Sequence, residues 1–445
     1  MRSFANEETR LHLWSHVREF AVPPSMIETA TARRLAGDWA GACAAARFDV
    51  DVQPRRLAGT HGRELAARIR DDLRHLAPDL LRWHMPRIVP DGLLRPGLTV
   101  SLARYRHEGI RGGTLHLVAR TAPAWADAGQ RISLALWQAS RGGAHPDRRF
   151  RLDLHRHLWD ARRAGELRER SLAVGAVPLN AAGIVPSGIG CAVGRWASEA
   201  ALLRQADGVT GPVAVRLGSR LRLALHAAAP DAAPRLEPLP GRGALAHGPV
   251  LPDAATWLPP DHELLRAGLI DADRLHPLVA AALVPGHRPS GSRTAPGGPG
   301  PRPVSCRGEA HRIGFVDGAL APLDHDPAEV RREQLLAALG GPPLPCLRAI
   351  DEAHRSPESL ADIRARLDHG DTAGALAVVE ALLGPDALLP GGPLREELAA
   401  AAQQRITHGL YRAGLLGSGP GPGVRDSLRR RTVRTRPRLA TACLS

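Results

Sequence analysis

Two stretches of this chain carry side chains whose types and spacing could do chemistry. Read as a β-strand, RFRLDLHRH over residues 149–157 places Phe150, Leu152 and Leu154 on one face and Arg151, Asp153, His155 and His157 on the other. Two imidazoles at i and i+2 beside a carboxylate suit Zn2+, Mn2+ or Fe2+. Asp153, His155 and His157 are therefore candidate ligands of a divalent transition metal in a metal-dependent hydrolase. The same alternation is what the solvated face of an antiparallel sheet produces, and the sequence offers no identifiable remote ligand.

The second stretch flanks Asp317-Gly318, a dipeptide that favours a two-residue hairpin turn. Pairing across it sets Ile313 opposite Pro322 and His311 opposite Asp324. Pro322 then falls where its missing N–H costs nothing on an edge strand. Cys306 as nucleophile, His311 as base and Asp324 as orienter would make a covalent-catalysis set, with His325 and Asp326 beside it. A cross-strand polar pair followed by a helix cap at Asp326 accounts for the same residues without chemistry.

Other motifs carry less. Gly188, Gly190 and Gly194 precede a predicted helix, but Pro186 interrupts the apolar strand that a dinucleotide turn requires. Asp351-Glu352-Ala353-His354 spells a helicase box, yet it continues a helical pattern and reads as a surface helix face. No lysine occurs, so all 59 basic side chains are Arg. A Walker-type NTPase, a protein kinase and a Schiff-base or PLP enzyme all need a Lys, and none can be built here.

The net charge of +14 reflects an Arg-, Ala-, Gly- and Pro-rich composition of the kind a high-G+C genome encodes, which weakens charge as a pointer to nucleic acid. Five cysteines, odd in number and without a C-x-x-C pair, indicate neither a disulfide framework nor a zinc knuckle. No apolar run is long enough for a membrane span, and the N-terminus lacks an apolar signal core. A soluble, cytoplasmic chain with no membrane partner is expected.

The elements that must position these residues divide the chain into six regions. Residues 1–95 read as helical, with Leu65, Ile69, Leu73 and Leu76 on one stripe. Residues 96–240 read as a mainly antiparallel β domain, with strands at LTVSLARY, TLHLVART, RISLALW, RFRLDLH, PVAVRL and LRLALHA. A helical patch at 241–283 and a Pro/Gly-rich linker at 284–304 follow. Residues 305–418 hold the hairpin and a helical array, with Asp326-Pro327 and Ser356-Pro357 as helix starts. Residues 419–445 form an Arg-rich tail that is too polar to fold.

The helix, Gly-Asp turn, helix pattern of ARRLAGDWAGACAAA, with Gly37, Trp39 and Ala42, resembles the inner half of a tetratricopeptide-type hairpin. IRARLDHGDTAGALAVVEALLG repeats it with Gly370, Ala373, Ala375 and Leu376. Two such units far apart are not a tandem repeat, and the resemblance carries no functional residues.

The fold class is α+β: N-terminal helices, a mainly antiparallel β-sheet domain, and a C-terminal β-hairpin plus helical array. The leading functional expectation is a non-catalytic adaptor or scaffold that binds another protein, with no cofactor. The alternative is the metal-dependent hydrolase on the 153–157 face. A second alternative is non-specific association of nucleic acid, or of an acidic partner, with Arg425, Arg429, Arg430, Arg431, Arg434, Arg436 and Arg438.

Overall fold

A computed structural model of the protein describes residues 7–106, 114–141, 145–172, 177–178, 180–186, 190–218, 221–226, 233–239, 248–288, 302–316, 319–357, 359–384 and 387–415. The Asp317-Gly318 turn, Gly188, most of the 284–304 linker and the whole Arg-rich tail lie outside these residues. The fold is α+β. No helix among the described residues is long and apolar enough to cross a membrane.

The N-terminal helices run Glu7–Phe20, Pro24–Leu35, Trp39–Ala45, Pro54–His61, Arg63–His75 and Pro78–His84. Proline at the first helical position starts several of them, where its missing N–H is one the helix could not have bonded anyway. The stripe Leu65, Ile69, Leu73 and Leu76 is buried as its spacing requires. These helices share one core with a sheet of β1 (Phe48–Val50), β2 (Thr99–Arg106), β3 (Thr114–Thr121) and β4 (Ile132–Gln138), in the order β1-β4-β3-β2. β1 lies within the stretch that reads as helical and pairs in parallel with β4, Phe48 beside Ile132. A strand of three residues is too short to show a period.

A second sheet, β5 (Val213–Arg216), β6 (Arg222–His226) and β7 (Arg235–Pro238), is antiparallel and has its own core around Trp196 of the helix Val193–Asp207. The strand expected over 149–157 does not form. Asp147 accepts from the Arg149 N–H and turns Arg148–Phe150 into a 3-10 helix. Leu152 N–H then reaches Ser101 O at 2.8 Å, and Arg156–Leu158 turns again. Two backbone bonds to β2, from Asp147 to Thr99 and from Leu152 to Ser101, replace a ladder.

The third sheet comprises β8 (Arg302–Cys306), β9 (Glu309–Val316) and β10 (Ala319–Pro322). Its register has Ile313 opposite Pro322, as the turn chemistry predicts. Asp326 caps the helix Pro327–Ala338, accepting from the Ala328 N–H. Helix Pro345–Arg355 follows and carries Asp351 and His354 on a helical surface, as expected. The start expected at Ser356-Pro357 is displaced: Ser356 closes the preceding helix, and the next begins at Leu360. Helices Leu360–Asp368, Thr372–Leu383 and Pro393–Arg412 pack on one another around Ile363, Ala375 and Leu394.

Both Gly-Asp hairpins form, with Asp38 accepting from Gly41 N–H and Asp371 from Gly374 N–H. The second one docks on the N-terminal core. Arg47 and Arg82 both donate to His369 O, at 2.9 and 3.2 Å, and His408 Nδ1 donates to Ala126 O at 2.9 Å. Here Gly370, at φ +82, is so close to Gly129 that a Cβ would lie 2.1 Å from the Gly129 carbonyl oxygen. Gly370→Ala should therefore destabilise the protein by about 3 kcal/mol in urea unfolding, through a left-handed backbone and a backbone clash. Gly59→Ala, in a helix with open space around it, should instead gain about 0.5–1 kcal/mol. Equal effects at the two sites would mean that the backbones do not meet in solution.

Candidate functional site

A cavity of about 330 Å³ lies where the first helix, the residues after Pro78–His84, the 149–158 turns, the helix Glu166–Leu172 and the 253–260 segment converge. Its walls present seven arginines, Arg10, Arg18, Arg87, Arg95, Arg149, Arg151 and Arg195, against one carboxylate, Asp253. Trp14, Phe150 and Trp257 supply aromatic surface. A wider groove of about 670 Å³ lies beyond Leu258, walled mostly by Ala, Val and Leu, with fewer polar groups to orient a ligand.

Most of the arginines are held by acids. Arg18 donates from Nε and Nη2 to Asp261 at 2.7 and 3.0 Å and from Nη1 to Trp83 O at 2.7 Å, while Trp83 Nε1 donates to the same carboxylate at 3.1 Å. Arg10 pairs with Glu263, Arg149 with Asp253 at 2.6 Å, and Arg151 with Asp153 and Asp207. Arg87 differs: among the described residues it donates only to the carbonyls of Arg82 and Gly92. Burial, then the Arg18 charge, draws its pKa down to about 9, so it is a cation at neutral pH without a bonded carboxylate.

The imidazoles here are neutral. His84 Nδ1 lies 3.0 Å from Leu80 O and donates to it, leaving the Nε2 lone pair buried with no hydrogen-bond partner. Burial pushes its pKa down to about 4. Asp261, 3.9 Å away, pulls the other way without prevailing, and Arg18 and His276 add to the depression. His157 is held well below its ordinary value by burial and then by His155. Six polar atoms of the cavity walls are buried without a hydrogen-bond partner: Nε of Arg10, Arg87 and Arg195, His84 Nε2, His157 Nδ1 and Ser171 Oγ.

Of the candidate metal face, only His157 lines this cavity. His155 Nε2 lies 3.2 Å from Glu199, off the line of a hydrogen bond, and Asp153 is held by Arg151 at 2.8 Å. Without strand alternation the three do not converge. The hairpin set Cys306, His311 and Asp324 is also not assembled as a nucleophile, base and orienter. β10 pairing ends at Pro322, and Asp324 turns to Arg312, accepting from its backbone N–H and Nη2, both at 2.7 Å, which holds the Asp324 carboxyl down to about 2.

Cys306 instead meets His325 and Cys346, with ligand atoms all within 4.8 Å of one another, the one such group among the described residues. His311 stacks on His325 at 4.1 Å. Cys346 escaped the sequence reading because its partner lies across a helix and outside any short motif. Its place directly after Pro345 at a helix start was the available signal.

The arginine cavity was missed because Arg counts as a surface residue in any hydrophobic period. No protein-family model, curated protein or solved structure matches the chain.

A histidine whose folded pKa lies below its unfolded value of about 6.5 stabilises the fold fully above that value and loses the contribution as pH falls towards the folded pKa. For His84 the window is pH 6.5 down to about 4 and the loss is about 3 kcal/mol. Urea midpoints should drop across that window, and His84→Gln should flatten the drop. An unchanged acid limb in that variant would mean that His84 is not buried as a neutral imidazole.

Proposed function

We propose that the chain is a non-catalytic binding protein and that its cavity takes a small anionic ligand bearing an apolar or aromatic arm. The observation that carries this is the lining itself, which sets seven arginines against one carboxylate. A concave site lined so heavily by one sign of charge concentrates counter-ions of the other. Guanidinium groups call for an acceptor such as a phosphate or carboxylate. Trp14, Phe150 and Trp257 suit an apolar arm.

A second reading, the scaffold that binds another protein, is favoured by one feature. The helix Pro327–Ala338 buries none of its residues, and Leu335 and Leu339 are 61% and 86% exposed. Contiguous apolar surface of this kind marks interaction sites.

The cavity reading is tested on the purified full chain by calorimetry and thermal shift with phenyl phosphate, octanoate, inorganic phosphate and neutral 1-octanol. An anion with an apolar arm should raise the Tm saturably, with affinity falling about 10–100-fold in Arg87→Met. The gain should also shrink in Trp257→Leu. No binding, or equal binding of 1-octanol and octanoate, would refute the anion site. The scaffold reading expects a near-stoichiometric protein to survive nuclease and high salt in native purification, and to be lost from a Leu335→Asp/Leu339→Asp chain. Retention of the same companion by that double variant would remove it.

A further inference from the structure

The structure brings two buried thiols and an imidazole together beneath the β8–β9 hairpin. Cys306 ends β8, Cys346 is the second residue of the helix Pro345–Arg355, and His325 lies between β10 and the following helix. Both cysteines are free and wholly buried. The His325 side chain is 4% exposed, and its Nε2 is buried with no hydrogen-bond partner. Behind the ring, the Glu329 carboxylate lies 3.8 Å from Nδ1, too far for a hydrogen bond.

His311 faces the same side of the hairpin as Cys306, because their cross-strand partners alternate in register: Val304 opposite His311, Cys306 opposite Glu309. The His311 ring lies nearly parallel to that of His325 at 4.1 Å, and its Nδ1 is likewise buried without a partner.

We propose that Cys306, His325 and Cys346 bind a zinc-class divalent ion that staples the hairpin to the start of the helix Pro345–Arg355, with His311 completing the tetrahedron once its ring tilts out of the stack on His325. Two thiolates and imidazole nitrogens are the donor set of tetrahedral structural zinc, and they select against Mg2+ and Ca2+. Metal–ligand lengths of about 2.0–2.3 Å need donor atoms roughly 3–4 Å apart, which the ligand atoms of Cys306, His325 and Cys346, already within 4.8 Å of one another, reach by a small closure, while His311 lies outside that group and moves further. Binding releases the two thiol protons to solvent. The two thiolates then cancel the two charges of the ion, so the loaded site buries no net charge.

The local fold gives the ion a structural role. Among the described residues, the hairpin's own buried core comprises Cys306, Ile313, Leu344 and Cys346, with half-buried Val304, Leu347, Ala349 and Ile350 against it. So small an apolar cluster does not hold a module together unaided.

The test uses the untagged full chain, purified under reducing conditions, assayed for bound zinc and titrated anaerobically with Co2+ after metal removal. About one zinc per chain is expected. Co2+ should give the charge-transfer and ligand-field bands of a tetrahedral two-thiolate site, displaced by Zn2+. Cys306→Ser and Cys346→Ser should abolish the bands, His311→Asn should weaken binding about 10-fold or more, and Cys43→Ser should leave them intact. A reduced wild-type chain that gives no tetrahedral Co2+ spectrum overturns the proposal whatever the variants do. So does a Cys346→Ser chain that keeps a full equivalent of zinc. If Cys306 and Cys346 are isolated as a disulfide and bind no Co2+ after reduction, the pair is a redox couple and the metal site is refuted.

Discussion

The wholly buried guanidinium of Arg82 is the interaction on which the arrangement of the molecule depends. It donates from Nε to Ala21 O at 3.0 Å, from Nη1 to Gln130 O at 2.5 Å and from Nη2 to His369 O at 3.2 Å. These three carbonyls belong to the turn after the first helix, the approach to β4 and the C-terminal helical hairpin. A buried charge left without partners is strongly unfavourable, so each segment is fixed by the need to supply its carbonyl. Arg47 adds a donor to the same His369 carbonyl and reaches Asp371 at 3.3 Å. The Gly129–Gly370 contact closes the joint at backbone distance.

The cavity follows from the same helix. Pro78–His84 spans only seven residues, yet rotation by one residue at a time sends successive side chains to different jobs. Asp79 meets His276 at 2.9 Å, Arg82 anchors the C-terminal hairpin, Trp83 bonds Asp261, and His84 lines the cavity. Asp261 in turn fixes Arg18 of the first helix, which forms another wall. Five of the seven lining arginines are positioned by carboxylates and Arg87 by carbonyls, which limits the side-chain freedom left to lose on binding.

Local signals in the sequence proved dependable where local chemistry decides. Asp38 and Asp371 cap their hairpins, Asp326 caps its helix, and the Ile313–Pro322 register follows from a two-residue turn. They failed where a tertiary contact outweighs a period. RFRLDLHRH alternates as a strand should, but Asp147 turns the chain at Arg149, and Trp159 Nε1 bonds Leu152 O at 3.1 Å, folding the segment back on itself. The parallel strand Phe48–Val50 was invisible because three residues are stabilised by β4 and not by their own pattern. The meeting of Cys306, His325 and Cys346 joins positions that no short motif links.

The lysine-free composition takes on a structural meaning beside these contacts. An excess of Arg on the surface has no structural consequence here, but the buried arginines have one. Arg18 grips Asp261 through two nitrogens while its face lies 4.3 Å from the centre of the Trp83 ring, and Arg82 reaches three carbonyls that lie in different directions. A lysine ammonium is a point charge on a flexible stem and could satisfy only part of either arrangement, leaving carbonyls or a carboxylate oxygen buried and unbonded. The planar fork is what allows a core made largely of Leu, Val and Ala, with few aromatics to fill it, to be tied together by buried charge. In such a core, changing Arg to Lys at Arg18 or Arg82 keeps the charge and discards the geometry on which the cavity and the C-terminal joint both rest.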